Sequence, residues 1–150
     1  MYLVEKHIIA PEHHLYKEID ELCFLSKNLY NRANYVVRQE FIETSKQKQN
    51  GKRDFANYLN YYDINKLLKN DDDYISLPRK VSNQVLISLD KNWKSFFKSN
   101  KDYNKSPEKY KGRPSLPKYK EKKQGRNILV YELGAISKNY LNTWWNPYSV

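Results

Sequence analysis

Residues 77–98 read LPRKVSNQVLISLDKNWKSFFK. Val81, Val85, Leu89, Trp93 and Phe96 recur there at steps of three or four, the spacing that gathers side chains on one helix face. Leu77-Pro78 opens the segment, and proline suits a first helical turn because its missing N–H would find no partner there. Lys80, Lys91, Lys94 and Lys98 lie elsewhere on the same helix. Trp93, Phe96 and Phe97 follow Val85 and Leu89 at helical spacing, so they read as core rather than as stacking platforms.

Working toward the N-terminus, Leu59–Lys69 reads as a shorter helix, with Asn60 or Asp63 available as a cap, and residues 70–73 break it. Asp71, Asp72 and Asp73 are consecutive, so they point in different directions and form a solvated break, not a metal site. A long helix begins near His14. Leu15, Ile19, Leu22, Cys23, Tyr30, Ala33, Val37 and Phe41 share most of one face, and the helix runs out in the polar segment 46–53 with Gly51. Before it, YLVEKHIIA at residues 2–10 alternates partly and carries β-branched residues, so it reads as a strand closed by Pro11.

Working toward the C-terminus, a basic loop punctuated by Pro107, Pro114 and Pro117 follows Asn100. NILVYEL at 127–133 reads as a strand, Gly134 as a turn and residues 135–141 as a return strand. The expected class is therefore α+β: a small β-barrel-like unit with an inserted helical subdomain of about three helices. Residues 1–11 supply the first strand, 12–100 the helical insert, and 101–141 the basic loop and returning strands. The last nine residues, NTWWNPYSV, form an irregular tail with two adjacent tryptophans that no later element covers.

The formal net charge is +10, and its placement says more than its size. Residues 91–126 hold eleven Lys and two Arg against Asp102, Glu108 and Glu121, so this quarter of the chain carries the entire excess. A field so concentrated attracts polyanions, meaning nucleic acid or an anionic membrane surface. Aromatics make up 15% of the chain, which argues for a packed core and against disorder. The single cysteine, Cys23, excludes an intramolecular disulfide framework and a CxxC zinc ribbon, and its helix position reads as core. His7, His13 and His14 lack nearby carboxylates in any ligand spacing, so neither a metal nor another cofactor is expected. No stretch approaches the roughly 20 apolar residues of a membrane span, and no leader pattern opens the chain; the expectation is a cytoplasmic protein.

Lys111, Arg113, Lys118, Lys120, Lys122, Lys123 and Arg126 form the densest basic cluster, with Gly112 and nearby prolines favouring an extended backbone that tracks phosphates. Tyr119 lies between Lys118 and Lys120, the interleaving that permits base stacking, or else packs against the edge of the β unit. Asn31 and Arg32 follow Tyr30 on the first helix; the arginine either grips a phosphate through its fork or pairs with a nearby acid. Arg79 and Lys80 open the third helix, where positive charge is locally unfavourable but free backbone amides would join them in holding a phosphate.

Three pieces now stand in order: Leu29-Tyr30-Asn31 followed by Arg32, the segment 77–98, and KGRPSLPKYKEKKQGRNILVYE at 111–132. Together they closely resemble the N-terminal part of the OrfB/TnpB proteins of insertion sequences, relatives of the type V CRISPR effectors, over roughly residues 3 to 140. The resemblance implies a helix-turn-helix-like region, structurally a β-barrel wedge domain with a helical recognition insert. Such a unit holds a structured guide RNA and helps recognise duplex DNA beside a short flanking motif. Family members continue into a RuvC-like nuclease, whose separated Asp, Glu and Asp gather two metal ions, and into a four-cysteine zinc element. With one cysteine and no such acidic constellation, the chain is expected to bind nucleic acid without being a nuclease, as a truncated or frameshifted product or a fragment. Two alternatives stay open: a helix-turn-helix-type DNA-binding regulator, and the targeting subunit of a split nuclease whose catalytic half is a separate chain. An inert pseudogene product is a third.

Overall fold

The computed structural model describes residues 4, 6–52 and 56–132. Helix α1 spans Tyr16–Gln49, α2 Tyr61–Leu68, α3 Asp72–Ile75 and α4 Arg79–Lys105, and a short 3-10 turn follows at Pro107–Lys109. At 34 residues, α1 is about 50 Å long. It packs lengthwise against α4, while α2 and α3 fill the space beside that pair.

The helix ends follow local chemistry. Gly51 adopts φ +70°, the left-handed conformation that ends α1. The Gly51 N–H then donates to the Lys48 carbonyl at 3.1 Å and the Lys52 N–H to the Gln47 carbonyl at 2.9 Å. At the start of α2 both expected caps are used: the Asn60 side chain accepts from the Tyr62 amide at 2.8 Å, and the Asp63 carboxylate accepts from the Asn60 amide at 3.0 Å. The acidic run after α2 does more than break a helix. The Asp71 side chain accepts from the Asp73 amide at 3.1 Å and so caps the single turn of α3. Pro78 is the N-cap of α4, its carbonyl accepting from Val81 and Ser82 at 2.8 and 3.0 Å.

The core contains the expected stripe. Val81, Val85, Leu89 and Trp93 of α4 are buried against Leu29, Ala33 and Val37 of α1 and Ile64 and Leu68 of α2. Each buried Val, Leu or Ile side chain contributes about 1.5–3 kcal/mol by leaving water. Phe41, Tyr58, Phe96 and Phe97 surround Trp93 at centroid distances of 5.4 to 6.0 Å, so the aromatic group is core, as its spacing suggested. Asp90, also buried, accepts from the Tyr58 hydroxyl, from the Tyr61 amide at 3.2 Å and from Lys94 at 2.6 Å, tying the segment before α2 to α4.

The expected α+β class does not hold: the described residues contain no strand, and thus no sheet or barrel. The described part of the first expected strand, Val4 and residues 6–10, has no strand partner. Residues 114–132, here called the strap, are mostly extended, but their neighbour is α1. A ladder needs a second extended backbone about 4.8 Å away, whereas the backbone of a helix is already bonded to itself. Side chains of α1 take over that role. Burial alternates along 126–130, with Leu129 half-buried between exposed Ile128 and Val130. The expected return strand at 135–141 and the irregular tail at 142–150 lie outside the described residues.

Candidate nucleic-acid interface

The strap runs antiparallel to α1, and polar side chains of that helix hold its backbone at successive turns. The Asn34 amide donates to the Pro117 carbonyl at 3.0 Å. Asn31 clamps Lys120 twice, donating to its carbonyl at 2.9 Å and accepting from its amide at 2.8 Å. Lys27 donates to the Lys122 carbonyl at 2.7 Å, and Ser26 to the Ile128 carbonyl at 3.1 Å. The Asn127 amide donates to the Cys23 carbonyl at 3.1 Å, completing the series. Cys23 itself is half-buried, and burial pushes its thiol up. With strap carbonyls turned toward α1, the side chains of Lys118, Lys120, Lys122 and Lys123 stand exposed.

Between Glu121 and Gly125 the strap folds into a tight turn. The Glu121 carboxylate accepts from the amides of Lys123 at 2.9 Å, Gln124, and Gly125 at 2.8 Å. Those amides hold its carboxyl below the usual glutamate range. A Cβ on residue 125 would come within 2.2 Å of the Glu121 carbonyl oxygen, so only glycine fits the turn unchanged.

The structure separates the expected site residues into three groups. Asn31 is a clamp, its amide committed to the Lys120 backbone. Arg32 and Arg126 are paired. Arg32 meets Asp71 at 3.0 Å, the acid-pairing reading of that residue. Arg126 makes a two-pronged pair with Asp20, both contacts 2.7 Å, and lies 5.1 Å over the Phe24 ring. Its guanidinium holds the Asp20 carboxyl below the usual range. Arg79, Lys80, Lys111, Arg113, Lys118, Lys122 and Lys123 are exposed and form no ion pair among the described residues. Lys120 is likewise exposed and unpaired, with Nζ 5.2 Å over the Tyr30 ring. Arg79 and Lys80 sit at the start of α4; Arg79 lines a hollow beside α2, and neither residue lines the hollows beside the strap lysines.

Two hollows flank the strap ridge at Tyr119 and Lys120. One, about 510 Å³, lies between α4 and the strap, with Asn92, Phe96 and Ser99 on one wall and Pro114, Pro117 and Lys118 on the other. The second, about 800 Å³, lies on the outer face of α1. Asn28, Arg32 and Tyr35 supply its helical wall, Tyr119, Lys120 and Lys122 its strap wall, and Lys27 and Asp73 also line it. Tyr35 is 50% exposed and Tyr119 44% exposed. The Arg38 guanidinium, 4.9 Å from the Tyr119 ring, supports that ring from α1.

Lys27 is 2% exposed, yet no carboxylate pairs with it among the described residues. Lys27 lines the larger hollow, and its Nζ lies 3.7 Å from the Phe24 ring. Burial holds its ammonium below the ordinary lysine range, against the pull of Glu121 and Asp73. Burial and neighbouring Asp71 raise the Asp73 carboxyl in turn. Lys27, Asn28, Tyr35 and Arg38 escaped the sequence reading. Tyr35 did leave a signal, since it falls off the apolar stripe of α1; Lys27 left none, because its burial depends on a strap 95 residues away.

Among the described residues no three His, Cys, Asp or Glu side chains gather to hold a metal ion, and no helix is long and apolar enough to cross a membrane. No family model, curated protein or solved structure matches this chain.

Proposed function

We propose that the chain binds nucleic acid, with a structured RNA as its principal ligand and duplex DNA as a second, and acts as a binding rather than catalytic unit. The observation that carries this reading is the state of the basic segment. Of its thirteen cations, Lys94 pairs with Asp90 and Arg126 with Asp20; the other eleven are exposed and unpaired among the described residues. Crowding like charges works against the folded state, and phosphates offset that repulsion while releasing counterions. Exposed Tyr35 and Tyr119 beside the cations suit bases better than lipid headgroups. The preference for RNA draws on the resemblance of residues 29–32, 77–98 and 111–132 to the OrfB/TnpB N-terminal region.

The helix-turn-helix alternative finds less support. A recognition helix must lie along a major groove, but α3 has four residues and is about 6 Å long. The test titrates the full chain with a structured RNA, a duplex DNA and anionic lipid vesicles at several salt concentrations. Binding to RNA that outlasts duplex and vesicle binding as salt rises is the expected result. Preference for one duplex sequence over RNA, or for vesicles, overturns it.

A further inference from the structure

We propose that the hollow on the outer face of α1 takes an unpaired nucleotide, its phosphate held by Lys27 and Lys122 and its base stacked on Tyr35. The inference rests on the nucleic-acid reading above and narrows it to a single-stranded segment at a particular place. Three independent observations meet there. The hollow, about 800 Å³, is roomy enough for a nucleotide. Its walls alternate cations with two half-exposed tyrosine rings, and the ring at Tyr119 is backed by a guanidinium. Lys27 is buried at the wall with one hydrogen bond, to the Lys122 carbonyl, and no ion pair among the described residues.

A buried ammonium without a carboxylate is locally costly, and a costly polar group lining a hollow marks where a ligand supplies the missing partner. Asp73 on the same wall does not supply it, since no ion pair joins it to Lys27 among the described residues. A phosphate oxygen accepting from the free Nζ hydrogens would satisfy the lysine, with Lys122, which also lines the hollow, adding charge. Duplex DNA and RNA keep their bases stacked inside, so a ring at the hollow meets a base only where the strand is unpaired. Asn28 and Asn31 stand beside Tyr35 on α1; Asn28 is free to read a base edge, whereas Asn31 is spent on the strap.

The experiment uses the full chain and a fluorescein-labelled 12-nucleotide RNA of mixed, non-self-complementary sequence, alone and annealed to its complement, read by polarisation at fixed salt. Tyr35→Ala is the main variant, since that ring is half-exposed and its loss leaves the core intact. Tyr62→Ala, at an exposed tyrosine outside the hollow, is the control. Tyr35→Ala is expected to weaken single-strand binding about tenfold and to change duplex binding less than about twofold, while Tyr62→Ala changes neither. Lys27→Met is expected to unfold as cooperatively as the parent and to lose single-strand affinity; should it not fold, Tyr35→Ala decides alone. If Tyr35→Ala leaves single-strand affinity unchanged, or weakens duplex equally, the hollow is not the nucleotide site even though the chain binds nucleic acid. If the parent binds neither probe, the broader reading fails with it.

Discussion

Asn34 shows how one polar side chain joins three parts of the molecule. Fully buried on α1, it accepts from the Trp93 indole N–H at 3.1 Å and donates to the Pro117 carbonyl at 3.0 Å. Replacing it by leucine of similar size strands the indole N–H, at about 1–3 kcal/mol, and leaves the Pro117 carbonyl only the longer 3.4 Å contact from Arg38. Asn34→Leu is therefore expected to lower stability by about 1–3 kcal/mol in urea unfolding; a change below about 0.5 kcal/mol would show that water replaces the amide freely. Asp20 and Arg126 give a residue-scale pH dependence. The carboxyl titrates lower in the folded chain than unfolded, so the pair's contribution is complete above about pH 4 and is lost as pH falls through the lower folded value. The Arg126 side-chain N–H NMR signal should keep its hydrogen-bonded shift at neutral pH, lose it below that window, and already lack it at neutral pH in Asp20→Asn. An Arg126 signal indifferent to Asp20→Asn would mean the pair does not form. At this scale residue type was legible in the sequence and assignment was not. Arg32 pairs with an acid 39 positions away and Asn31 clamps a backbone 89 positions away, and no local pattern reports either partner.

Helices could be read because their signals are local: an apolar face repeats within a few residues, and a cap sits at most three residues from what it caps. The correction to the expected returning strand concerns the strap. The extended course over 127–132 was legible and is real, but an extended backbone only calls for a neighbour that covers it. It does not say whether the cover is a strand or a helix face. Ser26, Asn31 and Asn34, polar residues on the strap side of α1, were the signal that something other than an apolar partner lies there. The strap as an element depends on its turn. Gly125→Ala drives a methyl group into the Glu121 carbonyl and must open the turn. Trypsin is expected to cut after Lys122 and Lys123 several-fold faster in this variant, while far-UV circular dichroism stays that of the parent. Unchanged cleavage would mean the turn does not hold the strap.

At the scale of the whole molecule, α1 serves as a spine with a hydrophobic side and a polar side. The first buries α4 and α2; the second fixes a basic ribbon whose backbone is occupied and whose side chains are not. Uneven charge was plain from the sequence, because counting needs no structure. The sequence could not show that the basic segment is docked rather than loose, or that eleven of its cations find no acid among the described residues. Docking matters for function: cations held on a rigid spine bind phosphates without first ordering a loop.

The most direct test of that account compares the salt dependence of RNA binding in the parent and in a chain carrying Lys118→Gln, Lys120→Gln, Lys122→Gln and Lys123→Gln together. Each cation that neutralises a phosphate adds roughly 0.7–0.9 to the slope of log affinity against log salt. Loss of four should flatten the slope by about 3 with helicity unchanged. An unchanged slope and affinity would contradict the account, since the strap lysines would then touch no phosphate.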